Sequence, residues 1–190
     1  GYAGDAVMID YIYGWKSSNG ATSLGKSILE HIRDTDLAHS VRWRRDTLAA
    51  AIDEVAAAGN SARVLALASG HLREGHVSTA LPAGRVGEFI ALDHDAESLA
   101  VVEREFGRFG VKRVQASVLD LPLEDPPRPS LEEAGDGEGF DLIYAAGLYD
   151  YLWQGAAEQL TAWSFRRLRP GGRLLIANVL PDLPEAGYME

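Results

Sequence analysis

A chain of 190 residues, 46% hydrophobic and 24% charged, is sized and composed for one globular unit that can bury a core. Its formal net charge of −10 argues against a nucleic-acid partner, because phosphate-backbone binding rests on Lys and Arg. Cysteine is absent, which removes disulfides, thiolate nucleophiles, cysteine-bound zinc and iron–sulfur clusters together.

The opening Gly1-Tyr2-Ala3-Gly4-Asp5 lacks the basic and apolar regions of a signal peptide, so a cytoplasmic location is expected. No run of about 18 apolar residues offers a membrane span. Residues 1 to about 60 read as helical. A loop is expected over 14–23 and a short helix over Ser23 to Arg33. Apolar residues at Leu37, Val41, Leu48, Ile52 and Val55 mark a longer helix, with Asp34 or Asp36 as its cap and Gly59-Asn60 ending it in residues that tolerate positive φ. Beyond Asn60 come short apolar runs of the kind buried on both faces: 63–68, 88–93, 111–118, 140–145 and 173–179. Between them lie a helix capped by Asp95 and another from Gly155 to Arg169, closed by Pro170-Gly171-Gly172. Strands alternating with helices predict an α/β fold, a parallel sheet with helices on both faces. The stretch from Leu121 to Gly139, rich in Pro, Glu, Asp and Gly, reads as a surface insertion. Two basic clusters, Arg42, Arg44, Arg45 and Arg166, Arg167, Arg169, are expected on helices as solvated faces.

In such a sheet, ligands sit beyond the carboxyl ends of the strands. Ala68-Ser69-Gly70 follows strand one, where small residues let backbone approach a ligand and the next helix offers free amides. Only Gly70 of a dinucleotide glycine fingerprint is present, which weakens a pyrophosphate more than S-adenosylmethionine, a cofactor without phosphate. Asp93 ends strand two, 23 positions after Gly70, where an acid can accept ribose hydroxyls. Ser117 and Val118 end strand three, and Ser117 with the neighbouring backbone suits the edge of an adenine. Ala145, Ala146 and Gly147 close strand four and lead into Leu148-Tyr149-Asp150-Tyr151-Leu152-Trp153. That aromatic run can wall a pocket, and a ring facing a sulfonium contributes about 0.5–2 kcal/mol. Against each reading stands a plain structural one: a turn, a solvated strand end, or helix-packing residues. His71 and His76 come with no carboxylate motif, so no metal site is expected. Gly20-Ala21-Thr22-Ser23-Leu24-Gly25-Lys26-Ser27 fits a phosphate-loop string, yet no apolar strand precedes it.

These stretches resemble a bacterial family of class I methyltransferases, the extracellular-factor (3-hydroxypalmitic acid methyl ester biosynthesis) proteins. The resemblance runs through Gly1–Asp5 with Met8-Ile9, Val64–Gly70 with Arg73-Glu74, Leu92-Asp93-His94-Asp95, Ser117-Val118, Tyr144–Leu152 and Leu168–Leu174. It implies a Rossmann-like core over 61–190 that binds S-adenosyl-L-methionine, with 1–60 as a helical lid or substrate segment. In that family the sheet continues for two further strands, which this chain is expected to lack, and Ser69 stands where its members often have Cys. By resemblance, Ala68, Ser69 and Gly70 line the methionine part of the cofactor and Asp93 holds the ribose, with His94 beside the adenine. Ser117 and Val118 address the adenine edge, and Ala145, Ala146 and Gly147 border the reactive methyl. Tyr149, Asp150 and Tyr151 are the nearest candidates for a catalytic role, and Tyr2 and Asp5 for a lid over a small-molecule substrate.

The leading function is methyl transfer to a small acceptor, with the carboxylate of a hydroxy fatty acid first among candidates because it needs no general base. N- or O-methylation of another metabolite, a non-catalytic domain that binds the cofactor, and a nicotinamide-dependent oxidoreductase stand as alternatives.

Overall fold

A computed structural model describes residues 6–59, 61–121 and 139–180. Tyr2 and Asp5, with the rest of the opening motif, lie outside the described residues. So do residues 122–138, most of the expected surface insertion, and residues 181–190.

Three helices come first: α1 (Ala6–Tyr13), α2 (Ser23–Arg33) and α3 (Asp36–Ala58). The strands and remaining helices then follow as β1 (Arg63–Leu67), β2 (Glu88–Asp93), α4 (Ala96–Phe106), β3 (Val111–Gln115), β4 (Phe140–Ala146), α5 (Gln154–Arg166) and β5 (Leu168–Ala177). All five strands are parallel, in the order β3-β2-β1-β4-β5. The expected α/β architecture is therefore present. Because the side-chain period of a strand is two, each apolar run serves both faces. Val64, Ala66, Phe89, Ala91, Leu142 and Tyr144 pack under Leu48, Ile52 and Val55 of α3 and Leu99, Val102 and Phe106 of α4. Leu65, Leu67, Ile90, Leu92, Ile143 and Ala145 pack under Leu160 and Trp163 of α5. Each large apolar side chain so buried stabilises the fold by about 1.5–3 kcal/mol.

Several local expectations are corrected. Thr35, rather than Asp34 or Asp36, caps α3, its hydroxyl accepting from the Ala38 amide at 3.2 Å. Gly59 ends that helix with extended backbone, φ −169°, not with positive φ. Strand β5 begins at Leu168, well before the expected position, and takes in the Pro-Gly-Gly turn. Phe140 pairs with Leu168 and Leu142 with Arg173, so Arg169 to Gly172 bulge out of register. Thr22 of the phosphate-loop string caps α2 through the Gly25 amide, and a helix and a loop, not a strand, precede it.

The largest departure follows β1. No α-helix forms there; a single 3₁₀ turn, Arg73–His76, is all that the β1–β2 crossover contains. Asp53 of α3 holds the rest of that crossover in place. Its carboxylate accepts from Ser78 Oγ (2.6 Å), the Thr79 amide (3.0 Å), Thr79 Oγ1 (2.7 Å) and the Ala80 amide (2.9 Å). Burial alone would raise its pKa, but the hydrogen bonds from Ser78, Thr79 and Ala80 outweigh burial and lower it to about 2.

The first basic cluster is half-buried rather than a solvated face, whereas Arg166 and Arg169 of the second are exposed as expected. Arg42 donates to the Arg33 and Ile12 carbonyls, and Arg45 stacks over Tyr13 with 4.8 Å from its guanidinium carbon to the ring centroid. Arg167 covers Trp163 at 4.0 Å, and Arg169, on β5 rather than a helix, pairs with Asp141. No helix among the described residues is long and apolar enough to cross a membrane.

Asp53→Ala is expected to destabilise the fold by about 1–3 kcal/mol, read by denaturant unfolding. A depressed folded-state pKa means that the Asp53 contribution is complete above the ordinary Asp value and disappears as pH falls through about 2. The variant should therefore lose part of the acid limb of stability against pH.

Candidate functional site

The strand order reverses between β1 and β4: the chain runs outward through β2 and β3, then returns to lay β4 beside β1. A crevice at the carboxyl ends of the strands forms at such a reversal. The loop leaving β1 has an unusual backbone. Ala68 (φ 50°), Gly70 (φ 51°) and Leu72 (φ 53°) are all left-handed, and Ala68 and Leu72 are the only non-glycine residues so placed among the described ones. Left-handed backbone at such residues costs of order 1–3 kcal/mol and persists only where its surroundings over-determine it. Here two hydrogen bonds do so. The Ser69 amide donates to the Leu92 carbonyl at 3.0 Å, and the Gly70 amide donates to Asp93 Oδ2 at 2.8 Å.

Asp93 is buried at 6% exposure, and its other oxygen accepts from the Asp95 amide at 2.9 Å. Asp95 caps α4 as expected, accepting from the Glu97 and Ser98 amides. The Asp93 carbonyl accepts from the Ala116 amide at 3.0 Å, which brings the end of β3 alongside. Ser117 Oγ then accepts from the Leu119 amide at 3.2 Å, and Val118 is buried among Leu65, Leu67, Ile90 and Leu92. His94 is exposed, with Nδ1 3.4 Å from Asp93 Oδ1. Ser69 Oγ is buried and has no hydrogen-bond partner within the chain.

Across the reversal, Ala145 is buried and Ala146 and Gly147 half-buried. Gly147 adopts φ +84°, and its amide donates to the Ala177 carbonyl at 3.1 Å. A 3₁₀ turn, Tyr149–Tyr151, follows. Tyr149 is buried in the apolar cluster below the sheet. Its hydroxyl lies 3.1 Å from Thr161 Oγ1, which itself donates to the Ala157 carbonyl, so Tyr149 donates. Burial raises its pKa against the effect of Thr161. A phenol so committed is poorly placed to take a proton. Asp150 is half-buried, with Oδ1 accepting from the Val179 amide at 2.8 Å; burial lifts its carboxyl above the ordinary range against that bond and the Arg44 charge. Tyr151 is exposed. A group of Gly70, Asp93 and Ser117 on one side and Gly147 and Asp150 on the other is thus placed along one edge of the sheet.

Sequence reading missed three groups that shape this edge. Asp10 of α1 is almost fully buried and grips the β1 loop: Oδ1 accepts from Arg73 Nε at 2.6 Å, and Oδ2 accepts from Arg73 Nη2 at 2.9 Å and faces His71 Nδ1 at 2.9 Å. Burial would raise its pKa, but the hydrogen bonds and charges of Arg73 and His71 prevail and lower it to about 2. Arg73 continues to Glu105 of α4, which also meets His76 Nε2 at 2.7 Å, and Trp15 stacks on His76 with centroids 4.5 Å apart. Glu74 is fully enclosed and accepts from the Tyr144 hydroxyl; burial raises both pKa values, that of Tyr144 strongly. The third is Arg44 of α3, which reaches the Gly147 turn. A carboxylate among the apolar residues of α1, and the adjacent Arg73-Glu74 pair, were the available signals. Arg44 gave none beyond its charge. Among the described residues no group of three His, Asp or Glu could hold a metal ion.

Neither the scan against protein-family models nor the search of curated proteins found a match. Solved structures do match. The chain is similar to a possible exported protein from Bordetella parapertussis, at 18% identity over 95% of this chain and 58% of that one, with a TM-score of 0.65. It is similar to CalH, a trans-methyltransferase in complex with SAH (17% identity, 90% of this chain, 47% of that one, TM-score 0.57). It is also similar to Streptomyces venezuelae DesVI (13% identity, 83% of this chain, 57% of that one, TM-score 0.53). The chain spans about half to three fifths of the length of these proteins. At such identities the likeness concerns the fold, which is the Rossmann-like fold of class I methyltransferases.

Asp10→Ala removes the bidentate partner of a buried guanidinium and should cost about 3–5 kcal/mol. Hydrogen exchange should show α1 opening at a lower free energy than the sheet, with loop 68–73 loosened beside it. The Asp10 contribution exists above the ordinary Asp pKa and is lost as pH falls through about 2, so the variant should be less acid-sensitive than the parent.

Proposed function

We propose that this chain forms the cofactor-binding part of an S-adenosyl-L-methionine-dependent methyltransferase acting on a small molecule. The observation that carries the reading is the Gly70 amide on the Asp93 carboxylate at the reversal of strand order, with the buried, unsatisfied Ser69 Oγ beside it. Each Asp93 oxygen accepts one amide and keeps a lone pair, so the carboxylate can also accept the two hydroxyls of a ribose. Ser69 Oγ suits the polar amino-acid end of the cofactor, and the strained loop from Ala68 to Leu72 presents backbone to it. His94 and Ser117, at the ends of β2 and β3, fall where an adenine would follow the ribose, with Val118 beneath. These residues fit a nucleoside without phosphate: no α-helix N-terminus follows β1 to receive a pyrophosphate, which weighs against a nicotinamide dinucleotide.

When bound, the cofactor supplies a methyl group on a sulfonium, a good leaving group. The chain's own task is then to hold the acceptor in line, about 3–3.5 Å from that methyl, beside Ala145 to Gly147. The resemblance to the extracellular-factor proteins makes the carboxylate of a 3-hydroxy fatty acid the leading acceptor. The site supports this reading in one respect. A carboxylate needs no base, and two of the candidate bases are already engaged: Tyr149 donates to Thr161, and Asp150 accepts from the Val179 amide. Tyr2 and Asp5 are proposed to close over the acceptor from the N-terminal segment.

Calorimetry should show S-adenosylhomocysteine binding and no binding of NAD. Asp93→Ala should weaken S-adenosylhomocysteine about 10–100-fold. Tritium from labelled S-adenosylmethionine should appear in 3-hydroxypalmitate as its methyl ester. Binding of NAD in preference, or indifference to both nucleosides, defeats the cofactor assignment; label in other metabolites alone defeats the acceptor.

A further inference from the structure

The proposed chemistry leaves Arg44 without a role, although it reaches the turn that ends β4. It stands on α3, and its guanidinium reaches across to the turn that ends β4. A Cβ placed on Gly147 would lie 2.8 Å from Arg44 Nη1. Glycine at that position leaves the guanidinium its room and also supplies the φ of +84° that the turn requires. The groups facing the guanidinium are Tyr13 of α1, Glu74 after β1 and Asp150 after β4. Tyr13 shares a hydrogen bond with it, and both carboxyl groups feel its charge. Neither carboxyl forms an ion pair with it, and Glu74 is already bonded to Tyr144 and Asp150 to the Val179 amide. Arg44 Nε is buried with no hydrogen-bond partner. Arg45 Nε, by contrast, donates to Asp46 Oδ1 at 2.8 Å. An unpaired N–H of a cationic fork, held out of water at the strand reversal, calls for a planar anion.

We propose that Arg44 is the carboxylate receptor of this site, taking a carboxylate presented between the loops that end β1 and β4. The proposal rests on the methyltransferase reading. Two sources share this chemistry: the amino-acid end of S-adenosylmethionine and an acidic acceptor. Lys would keep the charge but lose the fork, so Arg44→Lys should restore only part of the binding.

The test titrates the full chain, Arg44→Gln and Arg44→Lys with three probes. S-adenosylhomocysteine carries the amino-acid carboxylate. 5′-Methylthioadenosine has the same nucleoside and sulfur without it. 3-Hydroxydecanoate, added to protein saturated with S-adenosylhomocysteine, stands for an acidic acceptor. If the cofactor is the source, Arg44→Gln weakens S-adenosylhomocysteine about 10–100-fold and leaves 5′-methylthioadenosine unchanged. If the acceptor is the source, both nucleosides bind as before and 3-hydroxydecanoate binding falls by a similar factor. Unchanged binding of all three probes overturns the proposal. So does an equal loss of both nucleosides from both variants, which marks Arg44 as structural. Failure of S-adenosylhomocysteine to bind the unsubstituted chain defeats the methyltransferase reading itself, and the proposal with it.

Discussion

A single carboxylate organises the edge of this sheet. Asp93 sits at the end of β2 with one oxygen on the Gly70 amide and the other on the Asp95 amide, so the loop after β1 and the start of α4 are both fixed to it. Its carbonyl draws in the end of β3 through the Ala116 amide. Without that hub, the left-handed backbone at Ala68 and Leu72 would have little to hold it, since such conformations relax unless they are over-determined. The same hub leaves lone pairs on Asp93 and strands Ser69 Oγ without a partner.

The helices before β1 belong to this edge as much as the strands do. The first is tied to the β1 loop by a buried carboxylate, Asp10, that serves Arg73 and His71 together. A buried pair of this kind stabilises little in net terms, because desolvation offsets much of the attraction, but breaking it is costly. Its consequence is positional: α1 is fixed against the loop that follows β1. The third helix contributes in two places, with Asp53 holding the β1–β2 crossover that no helix supports and Arg44 reaching the β4 turn. Charges at the opposite edge do other work. Glu88 pairs with Arg63 and Lys112 at the amino ends of β1 to β3 and stitches the strands together there.

The sheet was legible because parallel strands buried on both faces read as short apolar runs, and five of them stand out between polar stretches. Gly70, Asp93 and Ser117 could be picked out because residues at strand ends are placed by topology, which periodicity reveals. Other features depend on contacts distant in sequence. Nothing local distinguishes Arg44 from Arg42 and Arg45; only the packing of α3 against β4 decides which one meets Gly147. Asp10 and Arg73 are 63 positions apart, so their pairing has no local pattern. The region after β1 was misread as a helix start because a strand followed by small residues so often leads into one. Here a carboxylate on a preceding helix, Asp53, holds the crossover instead. Strand β5 was placed too late because Pro170-Gly171-Gly172 reads as a stop, whereas the strand accommodates it as a bulge.

Hydrogen–deuterium exchange with and without S-adenosylhomocysteine tests the central claim most directly, because it reports on each loop separately. The account predicts that the nucleoside slows exchange together in residues 68–72, 93–95, 116–118 and 145–147, while the amino ends of the strands are unaffected. Protection of only one of these segments, or protection elsewhere with these four unchanged, would contradict a shared site built around Asp93.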